Sequence, residues 1–253
     1  MAKGKPGADS SVLVTSQIGG KSLVQLATDL YGEPPVFWGR YFTSASTGGN
    51  VEYRHLKENA ILRERGIRVL PIARQTKRVD GDETVGSADA IANAHDILVT
   101  FGADYLQTLA GEFYVFLDVE GAPSLSQAYY TGWANSLKER SSAETGGAVT
   151  LLPCVYATRS DSVTWSAISA AAATGVDCRG AWVARWTHHG CHALDEWDDA
   201  RVQPKVSIPC PVFCWQYADD CHGGSGFDCS QTNPGTALDD LVNHLILPPD
   251  SPA

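Results

Sequence analysis

Short apolar runs alternate with amphipathic stretches along the whole chain. Residues 12–16 (VLVTS) read as a first strand, and 19–30 as a helix whose apolar face carries Leu23, Leu26, Ala27 and Leu30. Pro34 and Pro35 end that helix, and 36–42 (VFWGRYF) form a second strand. Residues 52–65 are a charged helix with Leu56, Ala60 and Leu62 on one face, stopped by Gly66. The third strand is 67–72 (IRVLPI), followed by a helix over 87–101 with Ile91, Ala94, Ile97 and Leu98 as its apolar face. The fourth strand, 113–119 (FYVFLDV), is the most apolar of all. Helices over 124–140 and 161–173 then alternate with strands at 149–156 and 181–186. Residues 187–209 look irregular, 212–217 (VFCWQY) make a seventh strand, and 226–229 a short eighth before a last helix over 235–247.

Strand–helix alternation with short joins implies parallel strands and right-handed crossovers. Six to eight such units predict an α/β fold, a single TIM-type (β/α) barrel with irregular last strands. The 253 residues suit it, since such barrels commonly need about 250. An open doubly wound sheet is the rival, but neither GxGxxG nor GxxxxGK[ST] occurs, and no cofactor is expected. The barrel is expected over 12–247, after a flexible N-terminal segment, 1–11, and before a short tail, 248–253. That first segment is small, polar and basic, without the apolar core of a signal peptide, so location is left open.

The fourth strand carries the candidate chemistry. Residues 112–121 read EFYVFLDVEG, placing Asp118 and Glu120 two apart at the strand's C-terminal end. Side chains at i and i+2 share a face, and the C-terminal rim is where barrel active sites lie. Glycosidic cleavage needs a proton donor for the leaving oxygen and a second group to meet the charge at the sugar carbon. Adjacent carboxylates raise each other's proton affinity, so one can stay protonated near neutral pH. Glu120 is therefore assigned as general acid/base. Asp118 is its electrostatic partner, or the group that orients an acetamido substituent or a water. Idle acids in a solvated loop are the plain alternative, but the preceding apolar run argues against chance exposure.

The net charge of −10 disfavours nucleic acid and anionic lipid as partners, and no run of about 18 apolar residues exists to span a membrane. A glycan is compatible with that surface, and a monomer is expected. Aromatic and polar residues at strand ends suit sugar binding: Arg40, Tyr41, Gln75, Tyr156, Trp186, Gln216 and Tyr217 are the candidates. Core packing is the competing account for each ring. His188, His189, Cys191 and His192, with Cys210 and Cys214, invite a zinc site, but HHGCH lacks paired ligand spacing; an exposed loop with one disulfide is favoured and no metal is assigned. The seven cysteines all follow residue 150, and local disulfides and buried thiols stand as equal alternatives. No GxSxG elbow supports serine hydrolysis.

FYVFLDVEG resembles the Asp-x-Glu strand of glycoside hydrolase family 25, the lysozyme-type muramidases, and the related glycoside-hydrolase-like domain of unknown function 1906. Other segments match in order: VFWGRYFT at 36–43, ERGIRVLPIA at 64–73, GSADAIANAHDILVTFGA at 86–103, CWQYADD at 214–220 and GFDCSQTN at 226–233. The resemblance spans about residues 12–247 and implies a β/α barrel acting on peptidoglycan or a related N-acetyl-hexosamine glycan, with Asp228 on the rim. These families also place an aspartate on the first strand, in segments such as GFDTS; here Val14 of VLVTS takes that position. A second hypothesis follows from Val14: a catalytically silent barrel that binds a glycan or a protein partner.

Overall fold

Hydrogen bonding closes eight strands into one barrel in a computed structural model that describes residues 2–42, 52–74, 77–121 and 123–250. The barrel strands are β1 (Pro6–Asp9), β2 (Phe37–Phe42), β3 (Arg68–Arg74), β4 (Glu112–Val119), β5 (Thr150–Thr158), β6 (Ala181–His189), β7 (Val212–Cys221) and β8 (Phe227–Thr232). Strands β1 to β7 run parallel, whereas β8 is antiparallel to both β7 and β1. The expected α/β barrel of TIM type is therefore present, and its irregularity lies where the sequence suggested, in the last strands.

Helices α1 (Leu23–Tyr31), α2 (His55–Glu64), α3 (Glu83–Phe101), α4 (Ala103–Thr108), α5 (Gln127–Glu144), α6 (Ser162–Ala173), α7 (Asp199–Val202) and α8 (Leu238–Val242) complete the fold. Side-chain alternation along each strand divides the apolar residues into two cores. On β4, Phe113, Val115, Leu117 and Val119 pack outward under the helices, while Tyr114 and Phe116 fill the barrel. Local chemistry sets several helix starts. Ser22 and Gln25 form a reciprocal capping box on α1, and Asp82, Ser126 and Asp161 cap α3, α5 and α6.

The first strand departs from the sequence expectation. It is Pro6–Asp9, inside the segment expected to be flexible, and all four of its residues are buried. Small residues hide it from a hydrophobic scan: a Cβ on Gly7 would sit 2.1 Å from the Phe37 ring. The apolar run 12–16 instead forms the connection toward α1, where Val14 is buried outside the barrel and its N–H donates to Glu58 Oε2 at 3.0 Å. The expected helix over 19–30 starts later because 17–22 forms a small hairpin, Gln17–Ile18 against Lys21–Ser22. The helix expected over 235–247 is cut to α8. From α8 onward the chain plugs the floor of the barrel, with Leu241 of the helix and Leu245 after it in the inner core and Ile246 bridged to Val69.

Candidate active site

Strand register gathers the inward-facing polar residues at the C-terminal mouth. Asp118 on β4 lies opposite Arg74 of β3 and Tyr156 of β5. Across the barrel, Asp9 of β1 lies opposite Asp228 of β8. Gly39 of β2 makes room for this wall: a Cβ there would stand 2.7 Å from Asp9 Cβ and 2.9 Å from Ile72 Cδ1. A cleft of about 520 Å³ is lined by Tyr41, Arg74, Asp118, Glu120, Thr158 and Trp186. A smaller cavity of about 80 Å³ opens between Asp9, Asp228 and the 223–226 turn.

Four carboxyl groups therefore share one mouth. Asp9 and Asp118 are almost fully buried. Burial raises the pKa of Asp9 well above its ordinary value; Asp228 adds to this and a hydrogen bond from Gln216 opposes it. Burial likewise raises Asp118, with Glu120 adding and Arg74 opposing. Arg74 Nε is 3.8 Å from Asp118 Oδ2, and its guanidinium lies over the Tyr41 ring, 5.8 Å from the centroid. Asp118 Oδ1 is buried without a hydrogen-bond partner among the described residues. Burial also raises Glu120; a phenol hydrogen from Tyr156 opposes this wherever it is given to the ionised carboxylate, and Arg74 opposes it too. Asp228 is pushed up to about 7, chiefly by burial, although Oδ1 accepts the Asp220 backbone N–H at 2.7 Å.

Gln216 of β7 ties the two walls together. Its Nε2 donates to Asp9 Oδ1 at 3.0 Å and to Asp228 Oδ2 at 3.3 Å. Its Oε1 accepts Trp186 Nε1–H at 2.7 Å and faces the Tyr156 hydroxyl at 2.7 Å. That hydroxyl also lies 2.5 Å from Glu120 Oε1. Trp186 keeps 47% exposure, so its ring is anchored by its N–H while remaining open to the cleft.

Of the ten residues singled out in the sequence, Asp118, Glu120, Asp228, Tyr41, Tyr156, Trp186 and Gln216 meet at this mouth. Arg40 and Tyr217 do not, because strand alternation turns both outward. Arg40 is fully buried between barrel and helices, with Nε 2.8 Å from Glu58 Oε2 and Nη1 2.5 Å from Ser10 O. Tyr217 packs outward against Trp215, and its hydroxyl donates to His192 O. Gln75 lies outside the described residues.

Val14 is also corrected: the first-strand aspartate is Asp9, in Gly7-Ala8-Asp9-Ser10-Ser11, ahead of the apolar run that holds Val14. Arg74 is the other residue sequence reasoning missed; only its place next to Gln75 at the end of β3 pointed there. The residues weighed against a disulfide loop as zinc ligands do not converge. Cys191 is disulfide-bonded to Cys221, Cys214 is buried inside the barrel, and His188 stacks on His192 while its Nε2 contacts Asp195.

No protein-family model matches the chain, and no curated protein sequence does either. Solved structures do share its fold. An uncharacterized protein of B. stearothermophilus aligns over 96% of this chain and 100% of its own, with TM-score 0.66 and 22% identity. The catalytic domain of endolysin ply40 from bacteriophage P40 of Listeria monocytogenes aligns over 95% and 98%, with TM-score 0.51 and 15% identity. A muramidase from Acremonium alcalophilum aligns over 95% and 99%, with TM-score 0.54 and 14% identity. The chain thus has the barrel fold found in muramidase and endolysin catalytic domains.

Proposed function

We propose that the protein is a glycoside hydrolase that cleaves peptidoglycan or a related N-acetyl-hexosamine glycan. The observation that carries this is the gathering of Asp9, Asp118, Glu120 and Asp228, from three separate parts of the chain, at one end of the barrel, where they line two cavities of its mouth. Sequence resemblance to the family 25 muramidases and the related glycoside-hydrolase-like barrels supports the substrate class, as do the names of the structural neighbours.

In this proposal Glu120 gives its proton to the glycosidic oxygen as the bond to the sugar carbon breaks. Asp118 meets the positive charge that develops there, or holds the acetamido group or water that attacks. Its unpartnered Oδ1 supports the second role, since a buried acceptor without a donor is costly unless substrate supplies one. Asp228, Tyr41 and Tyr156 line the site, and the exposed face of Trp186 offers a stacking surface for a sugar ring. Glu120→Gln is expected to lower digestion of purified cell walls by at least about 100-fold, the usual scale of general acid catalysis. Digestion at the wild-type rate would sink the proposal.

The silent-barrel alternative drew its motive from Val14, and Asp9 on β1 removes that motive. The same assay decides it: glycan binding without release of reducing ends from the unmodified protein would favour the silent barrel.

A further inference from the structure

Hydrogen-bond directions around Gln216 assign a proton. Its amide orientation is set by three partners: the two N–H bonds point to the carboxyl groups of Asp9 and Asp228, and Oε1 faces Trp186 Nε1–H, which can only donate. With Oε1 fixed as an acceptor, the 2.7 Å contact to Tyr156 is favourable only if the phenol gives it its hydrogen. Tyr156 has one hydrogen. Its 2.5 Å contact with Glu120 Oε1 must then run the other way, from a carboxylic acid to the phenol oxygen. A phenol beside a carboxylate would by itself donate and lower that group's proton affinity; Gln216 competes for the same hydrogen.

We propose that Glu120 rests protonated, donating to Tyr156, and that Gln216 is the positioning residue that enforces this by holding the Tyr156 hydrogen. The inference rests on the reading of Glu120 as the acid, and it supplies a hydrogen-bonding reason for this carboxyl to hold its proton ready. The charged and titratable groups facing Glu120 are Asp118 on its own strand, Arg74 on β3, Tyr41 on β2, Tyr156 on β5, Asp219 on β7, and Asp9 and Asp228 across the mouth. Arg74 favours the ionised form and the other acids oppose it, so the direction of the Tyr156 hydrogen bond is decisive.

The test reads the proton in the free protein, without substrate. The infrared carbonyl band of protonated carboxyl groups is followed against pH, and the Glu120 component is the part lost in Glu120→Gln. Gln216→Leu frees the Tyr156 hydrogen to turn to Glu120, and Tyr156→Phe removes the oxygen that accepts from it. Both are expected to lower Glu120's proton affinity, by about tenfold. Were Tyr156 donating to a carboxylate instead, Tyr156→Phe would raise that affinity; such a rise, or no band lost in Glu120→Gln at neutral pH, overturns the assignment. A Glu120 band in a protein that digests no glycan upholds the wiring and sinks the hydrolase. Digestion without the band does the reverse.

The far ends of β6 and β7 carry a second, independent inference. At the mouth these strands are joined by the Cys191–Cys221 disulfide. At the floor, Cys178 and Cys210 lie just before the same two strands, with their sulfurs 2.9 Å apart. The 190–211 connection between the strands carries only the four residues of α7, so this part of the wall has little helical cover. The geometry points to a second disulfide, Cys178–Cys210, that staples the pair at its other end. An organic disulfide such as oxidised glutathione is the oxidant. The half-buried Cys178 attacks it as thiolate and releases one thiol; Cys210 then loses its proton, attacks the Cys178 sulfur and releases the second.

After incubation with oxidised glutathione, denaturation and maleimide labelling, mass spectrometry is expected to find three labelled cysteines, Cys154, Cys214 and Cys229, and a linked 178–210 peptide that Cys210→Ser abolishes. Five labelled cysteines, or a stable glutathione adduct on Cys178, would overturn the inference.

Discussion

Arg74 shows how one side chain sets the chemistry of its neighbours. It is the cation at a mouth crowded with carboxyl groups, and it opposes the upward shift of both Asp118 and Glu120. Arg74→Met removes that opposition, so both groups should hold their protons to higher pH. The acid limb of the rate profile, set by the carboxylate that must be ionised, is then expected to move upward, by about one unit on the usual scale of a nearby opposite charge. An unmoved acid limb would mean that Arg74 does not act on the ionised group. Asp118 and Glu120 were legible in the sequence because a period of two on an apolar strand needs no tertiary information. Asp9 was not, because its strand consists of small residues whose burial depends on Phe37 and β8 arriving from elsewhere.

One residue step along strand β2 separates two functions. Gly39 and Tyr41 face the barrel; Trp38, Arg40 and Phe42 face the helices. Gly39→Ala would press on Asp9 and Ile72 in a full interior. A loss of about 1–3 kcal/mol is expected in urea unfolding, the usual cost of overpacking. Arg40, read from the sequence as a rim residue, is instead a structural anchor: with Glu58 it joins β2 to α2 in a fully buried ion pair. Glu58→Ala leaves the guanidinium without its carboxylate, and about 3–5 kcal/mol should be lost. Equal stability of variant and wild type would contradict that role. The helix over 52–65 was visible from its charged face, but its partner was not, since a strand's alternation shows which residues share a face without showing which face is inside.

For the whole molecule, the four mouth carboxyls make stability depend on pH. Each has its pKa raised in the folded state, so between the ordinary and the raised value the folded protein binds more protons than the unfolded chain. Their contribution is therefore fully present below about pH 4 and is lost as pH rises through the folded values, near 7 for Asp228. Asp228→Asn should flatten this fall. Unfolding free energies measured from pH 4 to 8 are expected to decline less in the variant, and a parallel decline in both proteins would show that Asp228 does not couple to folding. The group works against folding at neutral pH, which fits a site held in place by the rest of the barrel.

The α/β barrel, its alternation of strands and helices from residue 36 onward, and the Asp118/Glu120 pair followed from the sequence alone. They rest on local periodicities of 2 and 3.6 and on residues two apart, and neighbours along the chain specify these. Tertiary structure decided which end of the chain closes the barrel, that Asp9 rather than Val14 faces Asp228, that Arg40 and Tyr217 turn away from the mouth, and that Gln216 joins its two walls. These depend on register between strands distant in sequence and on space left by residues such as Gly7 and Gly39, quantities that exist only once the barrel has closed.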